Sequence, residues 1–326
     1  MKSNEMATAT ASELETLRKA AEQGDVDAQC NLGLCYDKGW GMEQNAVEAV
    51  KWYRKAAKHE NAVAQYNLGN CYMNGIGVKR NAKEAAKWFL RAAEQGDADA
   101  QYGMGVCYDY GKGVEEDKQE AVIWYRKAAK QGNAVAQYDL GICYRDGTGV
   151  RKNAKEAVRW CREAAEQGRM DAQFNLGIYY DIGYGVEPDA AEAVKWWRKA
   201  AEQGMPKALT NLAVCYAIGH GVEKDDAAAA RWYRKAADIG IAEAQLHIGI
   251  CYATGQGVAK NMPKAVTWWY AAAEQGDADA QYNLGVCYDD GKGVAKNKQE
   301  AAKWYRMAAA NGNEDAEKAL KWLEAD

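Results

Sequence analysis

Apolar and polar positions along the chain recur with a period of 36 residues. Tyr36, Tyr72, Tyr108, Tyr144, Tyr180, Tyr216, Tyr252 and Tyr288 fall in one column without an insertion. Trp52, Trp88, Trp124, Trp160, Trp196, Trp232, Trp268 and Trp304 form a second column, and a Gly-x-Gly pair forms a third, from Gly39 and Gly41 to Gly291 and Gly293. Distant copies stay close: residues 97–114 and 277–294 differ at three of eighteen positions. Self-similarity at a fixed period is the signature of an array in which each copy is one supersecondary unit stacked on its neighbours.

Within a period the pattern predicts two helices. Ala28, Leu32 and Tyr36 lie at i, i+4 and i+8, on one helical face. Gly39 ends that helix, since glycine takes the left-handed conformation of a C-terminal cap. The second helix starts at an Asn or Asp in every copy: Asn45, Asn81, Asp117, Asn153, Asp189, Asp225, Asn261 and Asn297. Six of these are followed three residues later by Glu, the spacing of a capping box. Ala49, Trp52, Tyr53 and Ala56 then share an apolar face, and Lys51, Arg54, Lys55 and Lys58 a polar one. The glycine of an EQG-like triplet stops most copies, with Glu60 replacing it in one. Pro206 and Pro263 sit near helix starts, where a missing N–H costs least.

One such pair cannot bury its own apolar stripe, so the pairs must stack into an all-α solenoid. The expected organisation is a flexible tail at 1–11, a capping helix at 12–24, and eight repeats at 25–60, 61–96, 97–132, 133–168, 169–204, 205–240, 241–276 and 277–312. A second capping helix follows at 313–326, with Glu317 and Lys318 on the face that no further repeat covers.

Composition narrows the function. A net charge of −4 argues against a nucleic-acid partner. No apolar run approaches the roughly 18 residues of a membrane span, and the opening MKSNEMATATASELETL lacks the apolar core of a signal peptide. A cytoplasmic monomer is expected. Seven of the nine cysteines, Cys35, Cys71, Cys107, Cys143, Cys215, Cys251 and Cys287, share one column beside the tyrosines. Neighbouring helices lie about 8–10 Å apart, beyond the roughly 4.4–6.8 Å between Cα atoms of a disulfide, so reduced core thiols are expected. Cys143 and Cys161 are the one within-repeat pair placed to test this. There is no C-x-x-C, and His59, His220 and His247 stand at unrelated repeat positions, so no metal or other cofactor is expected. The Gly-x-Gly pairs follow helices rather than strands and read as turn glycines, not a phosphate loop. No serine or cysteine has an evident base partner, which speaks against catalysis.

The consensus AxAQYNLGxCYxxGxGVxxN/DxxEAxxWYRKAAEQG resembles the Sel-one-like repeat, a relative of the tetratricopeptide repeat with a longer loop. In the first copy Ala28, Leu32, Gly33, Tyr36, Gly39, Gly41, Ala49, Trp52, Ala56 and Ala57 carry the resemblance, and later copies depart at Ala213 and Cys161. It implies a right-handed α/α superhelix that serves as a scaffold for a protein or peptide segment, bound on the concave face lined by first helices. Two alternatives accompany it: a spacer holding partners at its ends or convex face, and an acyl hydrolase of the β-lactamase-like kind discussed for some relatives.

On the first helices, Tyr66, Tyr102, Tyr138, Phe174 and Tyr282 form one row, beside apolar Val106, Ile142, Ile178, Val214, Ile250 and Val286. Acids flank them at Asp109, Asp146, Asp181 and Asp289, with Arg145 as the clearest base. Tyr110, Ile182 and Ile218 interrupt a column that is otherwise polar, and His247 replaces the Asn of other copies. These residues are the candidate contacts. An acidic groove with apolar rungs suits a basic-amphipathic segment. The aromatic row has a plainer alternative as packing between repeats, and the second-helix cations one as a solvated face.

Overall fold

The computed structural model describes residues 10–325, and among them it has eighteen α-helices and no strand. They fall in two compact units, one reaching Arg169 and the other starting at Met170. In the first, α1 (Ala11–Glu22) precedes four pairs: α2 (Val26–Lys38) with α3 (Ala46–Lys58), α4 (Ala62–Asn74) with α5 (Ala82–Glu94), α6 (Ala98–Asp109) with α7 (Lys118–Lys130), and α8 (Ala134–Asp146) with α9 (Ala154–Glu166). The second has α10 (Met170–Ile182) with α11 (Ala190–Glu202), α12 (Pro206–Ile218) with α13 (Asp226–Asp238), α14 (Ala242–Thr254) with α15 (Met262–Glu274), and α16 (Ala278–Asp290) with α17 (Lys298–Ala310), then α18 (Glu314–Ala325). Within each unit a first helix packs on its own second helix, and that helix packs on the first helix of the next pair. Of the tail predicted at 1–11, residues 1–9 lie outside the described residues.

All eight second helices start at the Asn or Asp read from the sequence, whose side-chain oxygen accepts from an N–H two or three residues on, as from Glu48 to Asn45 at 3.1 Å. The capping boxes expected from the six glutamates do not form. The N-cap N–H is already committed to a tyrosine carbonyl nine residues upstream: Asn45 to Tyr36 and Asn81 to Tyr72 at 2.8 Å, Asp117 to Tyr108 at 2.9 Å. Glu48, Glu84 and Glu192 turn instead to lysines one turn on, at 2.5–2.7 Å. Among the described residues the reciprocal box occurs at α1, where the Thr10 N–H donates to Glu13 at 2.7 Å.

The tyrosine column thus closes each loop with its carbonyl, and its hydroxyl ties repeats together. Arg54 donates to the Tyr72 hydroxyl at 3.1 Å, Arg126 to Tyr144 and Arg234 to Tyr252 at 3.0 Å. Lys55, Lys127 and Lys199 lie 3.7–3.9 Å over the rings of Trp52, Trp124 and Trp196. Lys51, Lys55, Lys58, Lys127, Lys130 and Lys235 are exposed, so the second-helix cations form a solvated face from which the arginines also tie neighbouring repeats.

A buried glutamine column was not anticipated. Gln101 donates to the Ala93 carbonyl of the preceding helix at 3.1 Å and accepts from Gln131, at the end of its own second helix, at 2.8 Å. The same bridge recurs at Gln65 with Gln95, Gln137 with Gln167, and Gln245 with Gln275. In the sixth repeat both partners are lost together, to Leu209 and Ile239. In the first repeat only one is lost: His59 replaces the donor, and Gln29 Oε1 is buried without a partner. Its neighbour Glu60 has φ 60, alone among described non-glycine residues in the left-handed region. Restoring the consensus with His59→Gln and Glu60→Gly is expected to add about 1–3 kcal/mol, from an acceptor satisfied and αL strain removed, less the entropy of glycine. The check is a urea titration followed by circular dichroism; an unchanged or lower midpoint would show that the bridge carries no stability.

Candidate partner-binding site

Each first helix buries its Ala, Leu and Cys columns, and the Gln beside them where it is present, and turns the adjoining rows outward as a half-buried surface. The aromatic row is seated on its own second helix. Tyr66 lies 5.8 Å from the Phe89 ring, Tyr102 5.7 Å from Tyr125, and Tyr282 5.8 Å from Tyr305. Phe174 is buried, its carbonyl accepting from Trp197 Nε1 at 3.2 Å, and Tyr138 lies under the Arg169 guanidinium at 5.0 Å. His247 stacks on Tyr233 at 4.8 Å. This row is packing in the first place, with one edge left to solvent.

The acids have internal partners as well. Asp109 accepts from the Tyr125 hydroxyl at 3.1 Å and pairs with Lys118 at 3.0 Å. Asp146 accepts from Nε and Nη2 of Arg145 at 2.8 Å, which hold its carboxyl below the usual range. Asp181 meets His220 Nε2 at 2.5 Å. Asp289 lies near Tyr305, whose phenol is raised by burial first and by this acid second. The negative charge expected along the groove is offset by a cation at Asp109 and Asp146, while Asp181 meets a histidine and Asp289 a phenol.

Tyr110, Ile182 and Ile218 stand apart, exposed at 64%, 65% and 67%. Cavities open on these faces in both units. In the first unit one of about 150 Å³ involves Tyr66 and Tyr102, and another of about 160 Å³ involves Asp109 and Tyr110. In the second unit a cavity of about 490 Å³ brings Ile218 and His247 together with Val214, Tyr233 and Ile250, and carries Asp226 and Gln256 as polar members. Tyr138, Arg145, Asp146, Phe174, Asp181, Ile182, Tyr282 and Asp289 line none of the three. Sequence reasoning passed over Tyr233 and Ala217; the signal was there in Ala217, a short residue in the column of Asp109 and Asp181.

All nine cysteines, Cys143 and Cys161 included, are buried thiols. Among the described residues no group of three or more His, Cys, Asp or Glu is placed to hold a metal, and no helix is long and apolar enough to cross a membrane.

A family model described as Sel1 repeat matches residues 17–25, 26–61, 62–97, 98–133, 134–168, 171–205, 206–241, 242–277, 278–313 and 314–325. No curated protein matches the chain. Among solved structures, c5321, a protective antigen of uropathogenic Escherichia coli strains displaying an SLR fold, aligns over 94% of this chain at 38% identity with a TM-score of 0.89. The match spans 66% of c5321 itself, just under two thirds of its length. A Sel1 repeat protein from Oxalobacter formigenes aligns over 99% of this chain and 95% of its own at 35% identity, with a TM-score of 0.66. Proteins of this kind generally act as scaffolds for protein–protein contact rather than as enzymes. With the repeat signature, the all-helical pairs and these relatives in agreement, the chain belongs to the Sel1 repeat family.

Proposed function

We propose that the protein is a non-enzymatic adaptor that holds a segment of a partner protein on the first-helix face of its second unit, around Ile218. The observation that carries this is the cavity of about 490 Å³ beside an isoleucine exposed at 67%. Five other copies put Lys38, Asn74, Asp146, Thr254 or Asp290 at that position, and the apolar exceptions Tyr110 and Ile182 do not line this cavity. An exposed β-branched side chain at the edge of an apolar cavity is the form of an interaction site. Because the groove acids are engaged internally, the grip is apolar before it is electrostatic. The buried thiols support the non-enzymatic reading, since a protonated thiol is a poor nucleophile, and they suit a reducing compartment.

Affinity capture from native lysate with wild type, Ile218→Lys and, as a control on another exposed isoleucine, Ile239→Lys tests this. A partner lost only with Ile218→Lys, and cross-linked in wild type to α12 or α14, is the expected result. Equal recovery with all three proteins, at equal helicity, would remove binding from this face.

A further inference from the structure

The ring that each second helix sends toward its first helix follows a rule across the repeats. Where it is tyrosine, the first helix carries an aspartate at its last or next-to-last position: Tyr53 with Asp37, Tyr125 with Asp109, Tyr305 with Asp289. In the third repeat the hydroxyl donates directly to that acid, at 3.1 Å. Where the ring is Phe89 the residue is Met73, in keeping with a side chain that has nothing to donate. Where it is Trp197 or Trp269 the indole N–H donates to the carbonyl of Phe174 or Leu246, at 3.2 and 3.1 Å, and needs no acid. The sixth repeat departs from the rule, with Tyr233 opposite Ala217.

That departure is where the cavity of about 490 Å³ lies. Ala217 leaves room that Asp109 fills in the third repeat, and Thr210 is too short to cover the ring as Tyr66 and Tyr102 do in theirs. His247 from the next repeat covers one ring face instead, at 4.8 Å and 25°. The Tyr233 hydroxyl makes no hydrogen bond within the described residues, and Tyr233 is one of the residues lining the cavity, with Val214, Ile218 and Ile250. Burial pushes its phenol up to about 12, so at neutral pH it is a donor. Asp226 accepts from Gln256 Nε2 at 2.9 Å and lies 3.7 Å from Lys224, so its charge is already met at the rim. What the cavity lacks is an acid at the position where Asp109 accepts from the Tyr125 hydroxyl in the third repeat; the Tyr53 hydroxyl is buried without a partner too, but in a repeat where Asp37 fills that position.

Resting on the adaptor reading above, we infer that this cavity takes a carboxylate of the partner segment, carried beside an apolar side chain, with Tyr233 donating to it and Val214, Ile218 and Ile250 enclosing the apolar group. The volume is within the range of about 300–1,000 Å³ typical of ligand sites.

The test uses the purified full chain and three probes with one apolar tail: octanoate, octylamine and 1-octanol, titrated by calorimetry. Octanoate is expected to bind about tenfold tighter than the other two, the ratio that one good hydrogen bond to a charged group supports. Tyr233→Phe should bring octanoate level with octanol. Ala217→Asp writes back the acid of the other tyrosine repeats; it should cost octanoate about tenfold or more while leaving the melting temperature equal or higher, which separates a filled site from a broken fold. Preference for octylamine would mean that Asp226 governs the cavity and would overturn the inference, as would equal binding of all three probes or octanoate binding untouched by Ala217→Asp. A peptide ending in a free Leu carboxylate, compared with its amide, identifies the source. Binding of the acid alone supports a partner segment, whereas octanoate bound with both peptides ignored assigns the cavity to a free apolar acid and overturns the partner assignment. Head-group preference in the wild type alongside partner capture unaffected by Ile218→Lys would retain the carboxylate site and reject the adaptor face.

Discussion

Gly113→Ala is expected to destabilise the first unit by about 3 kcal/mol or more, from αL strain and overpacking together. Gly113 has φ 81, and a Cβ added there would run into the carbonyl of Ala82, the first residue of α5 in the preceding repeat, and reach Lys83 N at 2.9 Å. Both partners are backbone: one is a loop closed by the Asp117 to Tyr108 hydrogen bond at 2.9 Å, the other the start of a helix held by its Asn81 cap. Neither can rotate away as a side chain would. The second glycine of the pair makes the same approach at Gly77 to Ala46, Gly149 to Lys118, Gly221 to Ala190 and Gly257 to Asp226, so it is the point where one repeat's loop is seated on the repeat before it.

Gly96→Ala is the control. That residue has φ 96 but meets nothing within 4 Å of an added Cβ. Strain alone should then cost about 1–2 kcal/mol. Urea titrations of the two variants, followed by circular dichroism, distinguish the effects. Equal losses would mean that the Gly-x-Gly column serves only its backbone conformation and that repeats are not seated through it.

Most of the fold was legible because eight copies of one pattern average out local accident. The helix starts at Asn45 through Asn297, the stop at Gly39 and the buried cysteine column all follow from residues within a few positions of one another. What the sequence hid depends on contacts between elements. The capping boxes failed because the Asn45 N–H finds the Tyr36 carbonyl across a loop, a partner no local spacing announces. The glutamine bridge was visible as letters, in AQ and EQG, yet pairing Gln101 with Gln131 requires knowing that the end of one helix lies against the start of the other. The candidate site suffered most. A recurring column shows that residues are equivalent without showing which way their tips point, so Tyr66 and Tyr282 looked like a ladder when each is seated on a ring of its own repeat. The cavity is written in small residues, Ala217 and Thr210, and a search for large or charged side chains overlooks these.

Raising the pH is expected to unfold the protein over a narrow range, with stability level to about pH 8.5 and falling steeply above pH 9. The thiols set this window. Burial pushes Cys71, Cys107, Cys215 and Cys287 up to about 11, and Cys30 and Cys143 up to about 12, from an ordinary value of 9.0. Between 9 and these values the unfolded chain releases protons that the folded chain retains, so the folded state binds more protons and loses stability as pH rises. Each thiol contributes a slope approaching 1.4 kcal/mol per pH unit, on the order of the value of one pKa unit. Six acting together can exhaust a stability of about 5–15 kcal/mol by roughly pH 11. Urea midpoints measured at pH 8, 9 and 10 should therefore hold steady and then drop, and Cys107→Ala should make the drop shallower even as its cavity lowers the midpoint at pH 8. A midpoint unchanged through pH 10.5 would mean that the thiols ionise in place, and that the first helices are held more loosely than a buried cysteine column requires.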